Sequence, residues 1–570
     1  MNWRQPDDKL IRHIQRKFGC LPVTAAVLAN RGITEARQIH SFLNPSLKLI
    51  HNGFSMTDME RGVERIARAL LNKEKILIFG DYDVDGITST TLLHEFLKTS
   101  AAEVSYYIPH RLGEGYGLRT FHIEEAARKK GIDLIITVDC GSGSHDAVVE
   151  ALQQGIDVII TDHHAIADPP PPATAVINPH RSDCMAGTQC LAGVGVAFFL
   201  MVCLRKHLRE INYWSDHEEP NLKAYCDLVA LGTVADIVPL INENRVLTQA
   251  GLEIINSAPR PGIRALIEVS GINKPFLSAE DIAFRLAPRI NAAGRMDHAH
   301  LAVELLESAD PDQARVIAQS INKLNTERQT TEARLFQRIC MHLEEQPEIL
   351  SRKTLVLAGK DWHEGVLGIV ASRLAQRFWR PAVLLSIKGA LASGSARSIS
   401  CIDLYQALSA CSDFLENFGG HPMAAGLRLR SEQIDAFREA FETSASQMTG
   451  PDVLEPVVDI DAPLEMDMIS EQLTNELEWL QPFGPDNEEP LFCARNIEIV
   501  RAIPVGKGHQ KLLLKQRHSK TGRTIEGIWF NIPEACRSGK NLTELIFKLR
   551  WNYWNGDKRI QLIIEDGTWA

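Results

Sequence analysis

No run of about 18 uninterrupted apolar residues occurs in the 570-residue chain, so no membrane-spanning helix is expected. The first residues, MNWRQPDDKLIRHIQRKFG, mix charges and lack an apolar stretch. A secretory leader is therefore not expected, and a cytoplasmic location is. Paired cysteines are also missing. The 11 cysteines are scattered, and the nearest two, Cys184 and Cys190, have no second pair beside them. That disfavours a zinc knuckle or a disulfide framework and fits reduced thiols. Lys and Arg are absent from Asp452 to Glu489, which holds 12 acidic residues. This stretch accounts for the net charge of −11. From Arg501 to Arg559 the balance reverses, with 13 basic residues against 4 acidic ones. Global acidity thus does not exclude a nucleic-acid ligand, because the basic charge is local. Between Asp312 and Gln346 there is no Gly or Pro, and apolar positions recur every three or four residues among charges, as in a long solvated helix.

The length suggests several domains at roughly 150 residues each. Residues 1–55 read as a helical lead-in. From residue 56 to 309, β-branched runs alternate with amphipathic ones. KILIFG, EVSYYIP, DLIITVD and DVIITD are the strands, with helices from Ile87, near Phe121 and after Ser144. This βαβ rhythm predicts a parallel sheet. The connecting helix takes 310–346, and a second α/β domain takes 347–450, beginning at TLVLAG. The acidic stretch, 451–490, reads as a solvated linker, with a partner-docking surface as the alternative. Five short strands over 491–570 suit a small barrel of the OB type.

Acidic and histidine residues gather at the strand ends. Asp81, Asp83 and Asp85 follow the first strand, Asp139 the third, and Asp162-His163-His164 the fourth. Strand carboxyl ends are where open α/β sheets bind ligands. Crowded carboxylates repel unless a cation lies among them, and oxygen donors with one or two imidazoles suit Mn²⁺ or Mg²⁺. If the turn stays extended, the three alternating aspartates share a face. Asp236 lies in LVALGTVADIVPL, read as a helix ending before Pro239. A carboxylate in such an apolar run is costly unless paired or metal-bound. A metal-dependent hydrolase with two divalent ions follows as the expectation.

These residues, in this order, resemble the DHH phosphoesterase superfamily. The resemblance implies a dinuclear Mn²⁺ or Mg²⁺ centre held by Asp83, Asp85, Asp139, His163 and Asp236, with Asp139 as a bridge. It implies that His164 contacts the scissile phosphate. Relatives carry a His where this chain has Phe79, and Asp81 is the expected replacement ligand. Phe418–Gly426 (FGGHPMAAG) resembles the glycine-rich signature of the DHHA1 domain, where Gly419 and Gly420 would let backbone approach a nucleotide and His421 would meet its phosphate. PHRLGEGYGL at 109–118, APRINAAGR at 287–295 and the terminal barrel resemble, within this superfamily, the bacterial single-stranded-DNA exonucleases. The implied activity is 5′→3′ degradation of single strands to mononucleotides in repair and recombination.

Arg111, Tyr116, Arg289 and Arg397 are the candidates for holding the 5′ end and the backbone, since guanidinium forks match phosphate. In the barrel, Lys548, Arg550, Lys558 and Arg559 are candidate backbone contacts. Trp529, Phe530, Phe547, Trp551, Tyr553 and Trp554 are candidates for base stacking, about half of them being needed for the barrel core. The expected partners are single-stranded DNA, a helicase and a single-strand-binding protein, with the chain a monomer. Two other readings stand beside this one. The first is a phosphodiesterase for short oligonucleotides or cyclic dinucleotides, which would not need the barrel. The second is a non-catalytic replication scaffold, which would have lost metal ligands.

Overall fold

The computed structural model describes residues 2–111, 113–124, 131–449, 457–506, 508–533, 537, 539–554 and 557–569. The first α/β domain is a five-stranded parallel sheet. Its strands are β1 (Lys75–Gly80), β2 (Glu103–Tyr107), β3 (Leu134–Val138), β4 (Asp157–Thr161) and β5 (Ala175–Ile177). Their spatial order is β2-β1-β3-β4-β5. Central strands buried on both faces explain the unbroken apolar runs: Ile76 and Ile78 face one core while Leu77 and Phe79 face another. The chain leaves β1 toward β2 and returns on the other side at β3, so a crevice opens between the ends of β1 and β3. Strand β5 is too short to register as a periodic run and was not anticipated from the sequence.

Helix α1 (Val84–Thr99) starts earlier than the Ile87 expected. Asp83 is its N-cap, accepting from Gly86 N at 3.1 Å, and Asp85 sits in the first turn. The three aspartates therefore converge through a helix turn, not an extended face. Helices α2 (Gly193–Glu210) and α3 (Cys226–Ala235) pack against α1. Asp236 caps the C-terminus of α3, which stops short of the end expected near Pro239. The APRINAAGR block forms α4 (Ala287–Met296), and the connecting helix is α5 (Pro311–Glu345), 35 residues long.

The second α/β domain has strands β6 (Leu355–Lys360), β7 (Ala382–Lys388), β8 (Leu391–Arg397), β9 (Asn417–His421) and β10 (Ala424–Arg430), in the order β9-β10-β8-β7-β6. Helix α6 (Glu364–Phe378) packs on α5. The glycine-rich signature forms the β9–β10 hairpin.

The terminal barrel has β11 (Phe492–Val505), β12 (His509–Gln516), β13 (Thr524–Trp529), β14 (Asn541–Trp554) and β15 (Asp557–Trp569). β13 pairs in parallel with β15, and β14 pairs back to β11, closing the five strands. Trp529 and Phe547 are barrel core.

The acidic stretch is folded where the structure describes it, which corrects the linker reading. It holds short strands at Asp459–Ile460 and Ala462–Pro463 and a helix at Glu471–Glu478. Leu464, Met466, Ile469, Leu473, Leu477 and Leu480 enter one core with the barrel and with the N-terminal helices Asp8–Phe18, Pro22–Asn30 and Ala36–Leu43. Buried Glu476 accepts from Leu21 N at 2.8 Å and Thr24 Oγ1 at 2.6 Å. Counting charge hid these apolar positions, which lie among acids that, Glu476 and Asp461 apart, are mostly exposed.

Two arginines join this body to the parallel-sheet domain. Arg245, buried, donates to the carbonyls of Phe42 (3.1 Å), Leu480 (2.9 Å) and Trp479 (3.2 Å) and stacks on the Phe42 ring. Arg550 on β14 holds Glu489 through Nε at 2.6 Å and reaches Glu280 of the sheet domain at 2.6 Å. Replacing Arg245 by Met keeps the apolar stem but strands several carbonyls, each worth about 1–3 kcal/mol when left unpaired. Arg245→Met is expected to lower unfolding stability by about 3 kcal/mol in urea denaturation and to expose the 479–490 segment to limited proteolysis. An unchanged midpoint would show that these bonds are not what fastens the two bodies.

Candidate metal centre

Three strand ends and two helix ends deliver the site. Asp81 leaves β1, Asp139 follows β3, and Asp162, His163 and His164 follow β4. Asp139 adopts φ 59°, a left-handed conformation that Asp tolerates better than most residues, and its N–H is tied to Thr161 O at 3.0 Å. Asp85 accepts from Gly193 N at 2.6 Å and Val194 N at 2.9 Å, so the N-terminus of α2 points its unpaired N–H groups at this carboxylate. A Cβ at Gly193 would lie 2.5 Å from Asp139 Oδ1, so only glycine lets α2 come this close. Likewise a Cβ at Gly232 would meet Thr88 Oγ1 at 2.4 Å and Asp85 Oδ1 at 2.8 Å. That contact seats α3 so that Asp236, one turn on, reaches the same point.

His163 Nε2 lies 3.2 Å from Asp139 Oδ1, 3.4 Å from Asp236 Oδ2 and 3.7 Å from Asp85 Oδ2. A second set of oxygens, from Asp81, Asp83 and Asp139, gathers within 4.8 Å. Asp139 belongs to both sets. Burial, then repulsion among neighbouring carboxylates, holds the Asp81, Asp139 and Asp236 carboxyls well above their usual range. The same causes push Asp85 up to about 7, against the two α2 N–H groups. Burial, and then the charge of His164, lowers His163 to about 3, leaving a neutral imidazole fit to be a ligand. Asp81 Oδ1, Asp139 Oδ1 and His163 Nε2 are buried without a hydrogen-bond partner. Native interiors rarely leave such atoms orphaned, and a divalent cation in each of the two sets would satisfy them. The donor set, oxygens plus imidazole, fits Mn²⁺ or Mg²⁺. Cys140 points elsewhere, its thiol donating toward Phe79 O. Phe79 itself is packed against Tyr107 and His122 on the far face of the sheet.

Asp162 is not among the cation donors. It accepts from Ser142 N (2.9 Å), His163 N (2.8 Å), His164 N (3.1 Å) and His164 Nδ1 (2.8 Å). Burial works against its charge, but these bonds, led by that of His164, hold the carboxyl below its ordinary value. In return, burial is outweighed at His164 by the Asp162 bond and surrounding carboxylates, which raise it to about 9. With Nδ1 committed to Asp162, His164 has Nε2 left for the cleft. Tyr116 Oη lies 3.2 Å from His164 Nδ1 and 3.3 Å from the Asp139 carbonyl. From the second domain, the His421 ring stacks on His164 at 5.6 Å.

Arg111, Arg295 and Arg397 form a basic group beside this centre. Burial, then Arg111 and Arg397, lowers Arg295 to about 9; burial, then Arg111, lowers Arg397 to about 10. Uncompensated guanidinium charges this close call for an anion. Arg295 Nη1 donates to Gly365 O of α6 at 3.1 Å, at the contact between the two α/β domains. Sequence reasoning missed Arg295 and the orienting role of Asp162. Arg289 was chosen from the same block, but it lies on another face of α4, bonded to Asn322 of α5 and to Arg285 O. In the barrel, Lys548 pairs with Glu565 at 2.7 Å and Arg559 with Asp557 at 2.8 Å, while Arg550 is committed to Glu489 and Glu280. Lys558 lies over the Trp551 ring at 4.1 Å, and Trp551 Nε1 donates to Asn475. Phe530 is half exposed; the Trp554 side chain lies outside the described residues. Gly419 and Gly420 lie on β9 next to His421.

Residues 75–233 match the DHH family, N-terminal domain; residues 351–447 match the DHHA1 domain; residues 460–566 match the RecJ OB domain. The single-stranded-DNA-specific exonuclease RecJ of Dickeya dadantii (strain 3937) is 39% identical over 552 residues, covering 94% of each chain. That of Bacillus subtilis (strain 168) is 36% identical over 582 residues, covering all of this chain and 71% of its own. The structure of Thermus thermophilus RecJ in complex with Mn²⁺ superposes with a TM-score of 0.84 at 29% identity, covering all of this chain and 80% of that one. The same protein has been solved with Mg²⁺. On sequence, fold and the metal-site residues together, this chain belongs to the RecJ family of single-stranded-DNA-specific exonucleases.

Proposed function

We propose that the chain removes 5′-mononucleotides one at a time from the 5′ end of single-stranded DNA, using two divalent ions held by Asp81, Asp83, Asp85, Asp139, His163 and Asp236, with Asp139 shared between them. The observation that carries this reading is the adjacency, in one cleft, of a cation-demanding carboxylate group and an anion-demanding arginine group. Bound ions of this kind lower the pKa of water and neutralise phosphate charge. The chain supplies the rest. Asp162 fixes the His164 ring so that Nε2–H can donate to a non-bridging oxygen of the scissile phosphate. Tyr116 buttresses that ring. Arg111, Arg295 and Arg397, with His421 and the backbone at Gly419 and Gly420, hold the terminal phosphate and so set the polarity.

Beyond Asp236, a groove of about 950 Å³ runs between the sheet domain and β14, lined by Ile237, Phe284, Trp551 and Tyr553. Apolar and aromatic walls suit bases irrespective of sequence. We assign the strand to this groove and Lys558 to its backbone, in place of Arg550, which is already paired. A barrel bonded into the fold by Arg245 and Arg550 favours long strands over dinucleotides. Stacking on these walls needs unpaired bases, so a helicase and a single-strand-binding protein are the proposed suppliers, with the enzyme acting in the cytoplasm as a monomer.

Asp139→Ala should bind fewer Mn²⁺ ions by calorimetry and release a 5′-terminal label at least about 10³-fold more slowly, since both ion sites lose a donor. Mononucleotide release from the 3′ end by the unaltered enzyme would overturn the polarity. Arg295→Ala and Arg397→Ala should each weaken the preference for a 5′-phosphate over a 5′-hydroxyl by about 10–100-fold, each guanidinium being worth about 1.5–3 kcal/mol to a charged partner. Equal losses on both ends would place these arginines elsewhere on the strand.

A further inference from the structure

The second α/β domain carries a second groove, of about 860 Å³, on the side away from the metal centre. It lies between the C-terminal half of α5 and β6, the edge strand of the sheet. The hairpin strand β9, which brings His421 to the active site, is the opposite edge. Four strand spacings, about 19 Å, separate them.

The edge is open. Leu355 N bonds toward β7, through Pro381 O, which fixes the phase of the strand. The N–H groups of Val356, Ala358 and Lys360 therefore face away from the sheet. The Val356 carbonyl is taken by Arg438 Nε at 3.2 Å. The backbone groups of Ala358 face the groove, which Val356 to Gly359 line. Exposed sheet edges with unpaired N–H and C=O groups are templates for a further strand.

The wall opposite carries two exposed arginines, Arg334 and Arg338, one turn apart on α5; Arg352 and Arg438 at the ends already pair with Glu439 (2.7 Å) and Asp435, and Glu345 and Glu348 line the far part of the groove. Two donors on lining residues, Arg352 Nη1 and Trp362 Nε1, are buried without a partner. Orphaned donors beside guanidinium groups call for acceptors, and carboxylates supply them. The exposed Met341 and the Trp362 ring add apolar surface. Alternating backbone groups at peptide spacing do not match a sugar–phosphate chain, but they do match an extended polypeptide.

We infer that this groove docks an extended, acidic segment of a partner protein, which adds as a strand to β6 while its carboxylates meet Arg334 and Arg338. Such a partner is held about 19 Å from the hairpin edge and leaves the catalytic cleft free.

The test is fluorescence anisotropy on the full chain with a labelled eight-residue peptide alternating Asp with Val. The expected result is saturable binding that falls at least tenfold in Arg334→Glu/Arg338→Glu, two exposed positions that leave folding intact, and in a peptide N-methylated at alternate residues. Digestion of free single strands by the double variant should be unchanged. Three results would each overturn the inference: no binding at millimolar peptide, equal binding of a peptide alternating Lys with Val, or no loss in the double variant. A fall in single-strand affinity in the double variant would do so as well, by giving the groove to nucleic acid.

Discussion

Everything at the catalytic end of this molecule depends on mutual repulsion among buried carboxylates. Asp81, Asp85 and Asp139 have almost no contact with water, and Asp236 faces the same point. Left to themselves they would take up protons, as the upward shifts of all four express. The fold does not relieve this from within. It gives Asp85 two backbone N–H groups from α2 and gives the others nothing comparable. It gives Asp162, at the end of β4, four donors that keep it ionised without a cation. Two kinds of aspartate therefore share one cleft: those satisfied by protein, which position, and those left unsatisfied, which bind.

That division explains what could be read from the sequence. Carboxylates at the ends of β-branched runs are visible because strand periodicity and the position of the acid both lie within a few residues. The parallel sheet, the long helix and the five barrel strands are legible for the same reason. Arg295 was not legible. Its role depends on which face of α4 meets α6, and nothing local separates it from Arg289, six residues earlier. Nor could the commitment of Arg550 be seen, since its partners Glu489 and Glu280 are distant in the chain. The reading of 451–490 as a linker failed differently, over its described part. Its acids dominate any count of charge, while Leu473 and Leu477, on a two-turn helix, are too few to give a periodic signal yet suffice to bury one face.

The glycines at 193 and 232 show how tightly the helices must approach to build the site. Neither is a turn glycine, and neither has a positive φ. Each instead removes a Cβ that would occupy the space of a carboxylate oxygen. Position and chemistry are thus linked: α2 reaches Asp85 with its N–H groups only because it can lie against Asp139, and α3 delivers Asp236 only because it can lie against Thr88. A methyl group at either place would separate donors that need to converge within a few ångströms on one ion.

The second domain completes the site; it does more than cover it. His421 stacks on His164, and Arg397 joins Arg111 and Arg295. Arg295 bonds to Gly365 across the contact between the two domains. The cleft between them has cation-seeking groups on one wall and anion-seeking groups where the walls meet. In the reading proposed above, a single strand enters this cleft with its terminal phosphate at the arginines. Parting the walls would break the Arg295–Gly365 bond and draw His421 away from His164. The contacts that hold the two domains together are thus the same ones that bring His421 and Arg397 to the site, so any opening of the cleft would also take the site apart.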